Sequence, residues 1–194
     1  MGVVVDTRPQ DEQELVVPDG YELVDGRLVE KPVSEKSSWV GGQVFGLLWT
    51  YCRAHGLGSV WPADNGYRCF PDRPRLVRKP DVSFISRGRL PAGGLHDGDT
   101  TIAPDLAVEV VSPNDLAEDV AGKIRDYLAV GVRLVWEVYP EVREVRVHRD
   151  DGRVSKLRDG DELSGEEILP GFRCTVRDFL PPAADEPAPR GAPG

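Results

Sequence analysis

Cysteine and histidine are scarce in this sequence, which limits the metal sites and covalent cross-links that it can build. The three cysteines lie far apart and form no C-x-x-C pair, so neither a zinc cage nor a disulfide framework is expected. We predict that each is a small buried apolar residue: Cys52, Cys69 and Cys174. The three histidines lack the spacing of metal ligands and are interpreted as structural or surface residues: His55, His96 and His148.

Long apolar runs are also absent. No stretch approaches the roughly 18 apolar residues that a membrane-spanning helix needs. The amino-terminal segment MGVVVDTRPQDEQELVV has no basic start, and its run of three valines is too short for a secretory signal. We therefore expect a cytoplasmic protein with no membrane partner.

Basic residues are outnumbered by acidic ones, with 24 Lys and Arg against 33 Asp and Glu and a net charge of −9. Nucleic-acid-binding proteins normally present a basic surface, because neutralising phosphates supplies much of their affinity. Either the chain is no nucleic-acid protein or its basic residues are gathered locally. One local cluster consists of Arg68, Arg73, Arg75, Arg78 and Lys79. The alternative interpretation of this cluster is a solvated hairpin tip.

Length and composition predict one folded domain with two unstructured ends. The 194 residues are enough for a single domain with a sizeable core. We expect a flexible amino terminus over residues 1–14 and a folded domain over residues 15–180. Residues 181–194 are rich in proline and alanine and should form a disordered tail.

Turn and capping signals define the first elements of the domain. Asp25-Gly26 separates two strand-like runs and predicts a two-residue β-hairpin. Ser34 or Ser37 is expected to cap a helix that continues to about His55, because apolar residues recur there at helical spacing.

A change to β-type patterns follows this helix. The runs GSVWP, GYRCF and DVSFIS are predicted strands, and Asn65-Gly66 between the first two is a second hairpin signal. Residues 87–104 form a glycine-rich segment without periodicity, which is interpreted as a long loop.

The second half of the domain alternates strands with one helix. Residues 105–112 are apolar on both faces, which indicates a buried central strand. A helix over 116–130, a buried strand over 132–138 and a half-exposed strand over 142–149 should follow, with a hairpin through Asp151-Gly152. The order of elements predicts a mixed α/β domain with one central sheet.

Glu109 is a charged residue in the middle of the predicted core strand. Its neighbours Val108 and Val110 are apolar, and an unpaired buried carboxylate is costly, so such a group is normally paired or bound to a metal. The alternative is that this strand lies nearer the sheet edge and Glu109 points into water.

Lys123 is a second charge in an apolar setting. On a helix that turns about 100° per residue, it lies at the margin of an apolar stripe and should reach along the buried side, where Glu109 is a natural partner. The stripe consists of Leu116, Val120, Ile124, Tyr127 and Leu128. Two alternatives stay open: a lysine whose ammonium group remains in water, or a surface pair with Asp119.

Asp81 follows Pro80 at the start of a strand-like run, which is a common place for aspartate. Its interest comes from the combination with a second acid in a later core strand and a nearby lysine. Two carboxylates can hold Mg²⁺ with waters completing its shell, and the metal polarises a phosphate and activates water. A lysine can orient that water or stabilise charge on the phosphoryl oxygens.

An ordered series of segments resembles the Uma-two family, which belongs to the PD-(D/E)xK endonuclease superfamily. The segments are YELVDGRLVE (21–30), KPDVSFIS (79–86), PDLAVEVVSPND (104–115), Lys123 with Tyr127, GVRLVWEV (131–138) and LPGF (169–172). The resemblance covers roughly residues 15–180. It implies a restriction-endonuclease-like fold, with a central mixed β-sheet flanked by helices and an amino-terminal β-hairpin, and it implies Mg²⁺, or Mn²⁺ in its place, as the cofactor.

The resemblance also implies roles for individual residues. Asp81 resembles the proline-linked aspartate of the family, and Glu109 resembles the acid of the E-x-K half. Val111 stands where the superfamily has its lysine, and Lys123 on the following helix is implied as the replacement. Glu22 resembles a further acidic position that helps at the metal.

The leading hypothesis is a Mg²⁺-dependent endonuclease acting on nucleic acid, with DNA as the expected substrate and a homodimer as an assembly suited to cutting both strands. Two departures from the family pattern concern details of the site. Arg27 stands where the family usually has an acidic residue, and this chain has no histidine near Ser37, where one is common in the family.

One alternative is a catalytically inactive nuclease-fold protein that acts as a binding or interaction module. Another is a structural domain in which Glu109 and Lys123 form a buried ion pair.

Overall fold

The computed structural model describes residues 4–6, 16–31, 33–91, 93–94 and 97–182. His96 and most of the two end segments expected to be flexible or disordered lie outside these ranges. Within them, no helix has both the length and the apolar character needed to cross a membrane.

The predicted hairpin at Asp25-Gly26 is confirmed and belongs to a three-stranded sheet. Strand β1 (Val4–Asp6), inside the segment expected to be flexible, and strand β2 (Tyr21–Val24) both pair antiparallel with β3 (Arg27–Glu30). The two turn residues have positive φ angles of 49° and 80°. Aspartate and glycine tolerate this conformation, which a tight hairpin turn requires.

Helix α1 (Glu35–His55) begins with both of the serines that were predicted as alternative caps. The Ser34 hydroxyl accepts the Ser37 N–H at 3.1 Å, and the Ser37 hydroxyl accepts the Ser34 N–H at 3.0 Å. This reciprocal pair satisfies two backbone donors at the start of the helix. The helix ends before Gly56, whose φ of 63° is readily adopted by glycine.

A six-stranded mixed sheet lies at the centre of the fold, with its strands hydrogen-bonded in chain order. They are β4 (Gly58–Pro62), β5 (Val82–Ser86), β6 (Leu106–Val110), β7 (Leu134–Tyr139), β8 (Glu144–Arg149) and β9 (Val154–Arg158). Strands β6 and β7 are parallel and are joined by helix α2 (Ala117–Ala129), whereas the other neighbouring pairs are antiparallel. Strands β10 (Glu162–Ser164) and β11 (Arg173–Thr175) form a separate ribbon. The predicted mixed α/β fold class is confirmed.

Strand β6 divides the core into two apolar layers. Leu106, Val108 and Val110 pack with α1 and the β10–β11 ribbon, whereas Ala107 packs with α2. Since side chains alternate along a strand, Glu109 shares the α2 face with Ala107. The whole strand is buried, so the alternative of an edge position for Glu109 is wrong.

The second predicted hairpin, at Asn65-Gly66, is wrong. Strand β4 pairs with β5 over five residue pairs, and residues 66–70 form no strand. Tyr67 makes only isolated bridges to Arg78 and Thr100. A turn signal is local information, and here it is overridden by the pairing of β4 with a more distant and deeply buried strand.

The local cluster of basic residues is neither a solvated hairpin tip nor a free basic surface. Arg78 and Lys79 are buried, with 7% and 3% of their surface exposed. Arg78 forms ion pairs with Glu22 and Asp126, at 3.0 and 2.6 Å, and Arg73 also pairs with Asp126. The two arginines thus bind acids and connect the amino-terminal sheet to α2, whereas the Lys79 ammonium group donates to two backbone carbonyls.

The cysteines and the two histidines within the described residues behave largely as predicted. All three cysteines are free; Cys52 is buried, and Cys69 and Cys174 are half-buried beside the apolar clusters. Burial raises the pKa of Cys52 to about 11, so its thiol stays protonated and unreactive. His55 is exposed, and His148 hydrogen-bonds Glu137 at 2.9 Å.

Asp105, which precedes β6, should make stability depend on acidic pH. Burial by itself raises the pKa of Asp105, but hydrogen bonds from Ser86, Arg133 and Arg89 outweigh burial and lower it. The contribution of such a group to the free energy of unfolding is fully present above its pKa in the unfolded chain, about 3.9. It is lost as the pH falls through the lower pKa that the group has in the folded protein. We expect the free energy of unfolding to fall more steeply below about pH 4 in the wild type than in Asp105→Asn.

Urea denaturation at a series of pH values measures this difference. The exposed Asp119→Asn variant is the control and should follow the wild-type curve. Parallel curves for the wild type and Asp105→Asn would contradict the prediction.

Candidate active site

Strands β5 and β6 bring Asp81 and Glu109 side by side. Asp81 directly precedes β5, whose register with β6 begins with Val82 opposite Val108, and the Asp81 N–H donates to the Val108 carbonyl at 2.9 Å. Asp81 Oδ2 also accepts the Val110 N–H at 2.7 Å. Asp81 and Glu109 line one cavity, so the two carboxylates face the same space.

Lys123 reaches this space from α2, as predicted. Its Nζ lies 3.2 Å from Glu109 Oε2 and 3.6 Å from Glu22 Oε1, and its side chain is only 12% exposed. The two alternatives for Lys123, an ammonium group that stays in water and a surface pair with Asp119, are therefore wrong. Leu116 is 68% exposed and precedes the helix, so its assignment to the apolar stripe is wrong.

The second oxygen of Glu109 is bound by Tyr127, which the sequence predicts in the apolar stripe of the helix and in a family segment but without a role at the site. The Tyr127 hydroxyl donates to Glu109 Oε1 at 2.6 Å and is fully buried. Tyr127 lies one helical turn after Lys123, so their i,i+4 spacing was the signal that could have found it. Lys123 and Tyr127 together fix both oxygens of Glu109.

Glu22 lies behind Lys123 and is held by several donors. Its Oε1 accepts the Lys79 N–H at 2.8 Å, and its Oε2 accepts from Arg78 at 3.0 Å. Burial by itself raises the pKa of Glu22, but the charges of Lys123, Arg78 and Lys31 outweigh burial and lower it. The expected metal-assisting carboxylate is therefore engaged with protein cations and with one backbone N–H.

Lys31 is a site residue that sequence patterns did not indicate. It follows β3, and its Nζ donates to Asp81 Oδ1 at 3.1 Å and to the Lys79 carbonyl. Its position depends on the packing of the hairpin against the central domain, where Leu23 and Val77 exchange backbone hydrogen bonds of 3.1 and 2.8 Å. Such a long-range contact leaves no mark on the local sequence.

Charge and burial act together on the ionisable groups. Burial, together with the neighbouring carboxylates of Asp81 and Glu22, raises the pKa of Glu109. Burial by itself lowers the pKa of Lys123, but the nearby carboxylates outweigh burial and raise it. Burial by itself also lowers the pKa of Lys31, but the neighbouring carboxylates, Asp81 most strongly, outweigh burial and raise it.

A cavity of about 270 Å³ opens over these groups. Its charged lining includes Lys31, Asp81, Glu109, Asp115 and Lys123, and residues 37–45 of α1 form part of its wall. A Cβ added at Gly41 would lie 3.9 Å from the Asp81 Cβ, so the helix backbone passes close to this acid. The cavity thus gives a small molecule or a chain segment access to both carboxylates.

The donor set of this cavity fits a hard divalent cation. Magnesium is commonly bound through one or two carboxylates, with waters and substrate phosphates completing its octahedron. Asp81 and Glu109 supply two such carboxylates. Among the residues that the structure describes, no group of three or more His, Cys, Asp or Glu side chains is arranged to hold a metal ion, so water or substrate would have to supply the remaining ligands.

Comparison with known proteins adds independent information. A family model described as "Uma2: Putative restriction endonuclease" matches residues 16–177. A crystal structure of a "putative nuclease belonging to DUF820" from Anabaena variabilis ATCC 29413 is similar, with a TM-score of 0.73 and 18% sequence identity over 82% of this chain and 89% of that chain. At this identity the structural likeness shows the fold alone. No curated protein matches the chain.

Removing the Tyr127 hydroxyl should destabilise the protein measurably. Tyr127→Phe leaves Glu109 Oε1 buried without its donor, and an unsatisfied buried acceptor costs about 1–3 kcal/mol. We expect a loss of this size in the free energy of unfolding, measured by urea denaturation. Tyr51→Phe is the matched control, because the Tyr51 hydroxyl donates to the Pro170 carbonyl at an exposed position. Equal losses in the two variants would contradict the prediction.

Proposed function

Because the chain belongs to the Uma2 family, described as "Putative restriction endonuclease", we propose that it is a Mg²⁺-dependent endonuclease that hydrolyses phosphodiester bonds in DNA. One observation carries the proposal. Asp81 and Glu109 line a single cavity together with Lys123, whose ammonium group is 3.2 Å from Glu109. Two acids and a lysine in one accessible space meet the chemical needs of phosphodiester hydrolysis.

Asp81 and Glu109 are the residues that would hold the metal. Each carboxylate has one oxygen fixed by a neutral donor, the Val110 N–H or the Tyr127 hydroxyl, and its other oxygen contacts a lysine. The lysine-bound oxygens are therefore the ones that can exchange their partner for another cation. A bound Mg²⁺ would polarise a phosphate oxygen and lower the pKa of an attacking water.

Lys123 is proposed to act on the phosphate or on the water. Its ammonium group is held near the cavity by Glu109 and Glu22, where it can donate to an oxygen that gains charge in the transition state. Glu22 is proposed as the residue that positions Lys123, since its own oxygens are engaged by Arg78 and Lys79.

Conservative replacement of the three central residues should abolish most activity. We expect Asp81→Asn, Glu109→Gln and Lys123→Met each to lower kcat for cleavage of a DNA plasmid by about 100-fold or more, the loss typical of removing one essential electrostatic group. Asp119→Asn, on the exposed side of α2, is the control and should retain wild-type activity. Cleavage that survives in all three variants would disprove the site assignment.

A catalytically inactive nuclease-fold protein that binds a partner is the second candidate function. Two observations favour it: the net charge of −9, and the absence within the described residues of a metal-holding group of three or more side chains. It predicts neither turnover nor a divalent-cation site.

Calorimetric titration with Mg²⁺ and Mn²⁺ separates the two candidates. The endonuclease proposal predicts one saturable site in the wild type, loss of binding heat in Asp81→Asn and Glu109→Gln, and complete loss of cleavage when the metal is removed with EDTA, because no carboxylate-bound cation then activates water. Absence of binding heat in the wild type, with no cleavage, would favour the inactive module. A folded domain over residues 15–180, a cytoplasmic location and a homodimer stay predictions from the sequence.

A further inference from the structure

Lys31 is a second lysine at the candidate site, supplied by a different element from Lys123. It follows β3 of the amino-terminal sheet, and its backbone N–H donates to the Gly20 carbonyl at 2.8 Å. Its side chain is only 10% exposed and ends at Asp81, with Nζ 3.1 Å from Oδ1. Both residues line the cavity, so this ion pair borders the space that a substrate would enter.

The hydrogen bonds of Lys31 leave donor capacity for a ligand. An ammonium group has three N–H donors, and those described for Lys31 go to Asp81 and to the Lys79 carbonyl. One donor therefore remains for another acceptor. The carbonyl contact would also keep the ammonium group at the cavity wall if its contact with Asp81 were given up.

Asp81 does not depend on Lys31 alone for its orientation. Its Oδ2 accepts the Val110 N–H at 2.7 Å, and the Asp81 side chain is 23% exposed. If Lys31 served only to neutralise a buried carboxylate, Asp81 would be expected to be fully enclosed by protein. Here the contact is partly exposed, and each partner keeps a second anchor when the contact breaks.

We propose that Lys31 is a second phosphate-binding lysine of this site. In the metal-free protein its ammonium group neutralises Asp81, and in the substrate complex it donates to a non-bridging oxygen of the scissile phosphate. Lys31 and Lys123 then contact the reacting group from the hairpin and from α2. This inference rests on the proposed endonuclease function and adds a substrate-binding residue to it.

The test compares Lys31→Met with Lys36→Met in two measurements. Lys36 is the matched control, because it is an exposed lysine of α1 that pairs with Glu141 at 2.7 Å. In calorimetric titrations with Mn²⁺ and no nucleic acid, Lys31→Met should bind the metal about three- to tenfold more tightly, because a competing cation has left Asp81. At saturating metal, its kcat for DNA cleavage should fall about tenfold or more, and Lys36→Met should match the wild type in both measurements.

The outcomes separate this inference from the proposed function. Lys31→Arg keeps the positive charge and should recover part of the lost cleavage, whereas weaker metal binding and lower cleavage in Lys31→Met would assign Lys31 a structural role only. Unchanged cleavage in Lys31→Met, with an active wild type, would overturn the inference alone. A wild type that neither binds Mn²⁺ nor cuts DNA would overturn the proposed function and this inference with it.

Discussion

The placement of two carboxylates beside one cavity, Asp81 just before β5 and Glu109 within β6, is the constraint on which the rest of this structure depends. Burial makes Glu109 costly to ionise, and the nearby negative charge of Asp81 adds to that cost. The protein offsets both effects with cations from separate elements, Lys31 after the hairpin and Lys123 on α2. The acids can stay close and accessible only when the sheet, the hairpin and the helix assemble around them.

The same constraint explains why the amino-terminal hairpin is integrated into the domain. Arg78 joins Glu22 of β2 to Asp126 of α2, and removal of one partner from such a buried network costs about 3–5 kcal/mol. Glu22 in turn contacts Lys123, so the hairpin helps to hold the lysine as well as supplying Lys31. The position of the hairpin and the geometry of the candidate site are therefore coupled through one ionic network.

Much of the fold and part of the site could be predicted from the sequence, because they follow from local patterns. Glu109 and Lys123 stand out as charges among apolar residues, and the Asp25-Gly26 turn needs no information from elsewhere in the chain. Two of the failures share one cause. The pairing of β4 with β5 overrides the Asn65-Gly66 turn signal, and Lys31 reaches Asp81 only through packing between distant segments. Interactions across the fold decide these positions, and a single sequence does not record them.

The electrostatics also indicate how an acidic chain can act on a polyanion. Arg73 and Arg78 of the sequence's local basic cluster are engaged with internal carboxylates, so they add little attraction for phosphates at the surface. On the proposed function, favourable charge is instead concentrated in the cavity, where two lysines and a divalent cation act at short range and are less screened by salt than exposed charges. Asp81 and Glu109 alone would repel a phosphate. Their negative charge becomes useful because it holds cations at the place where the phosphate must bind.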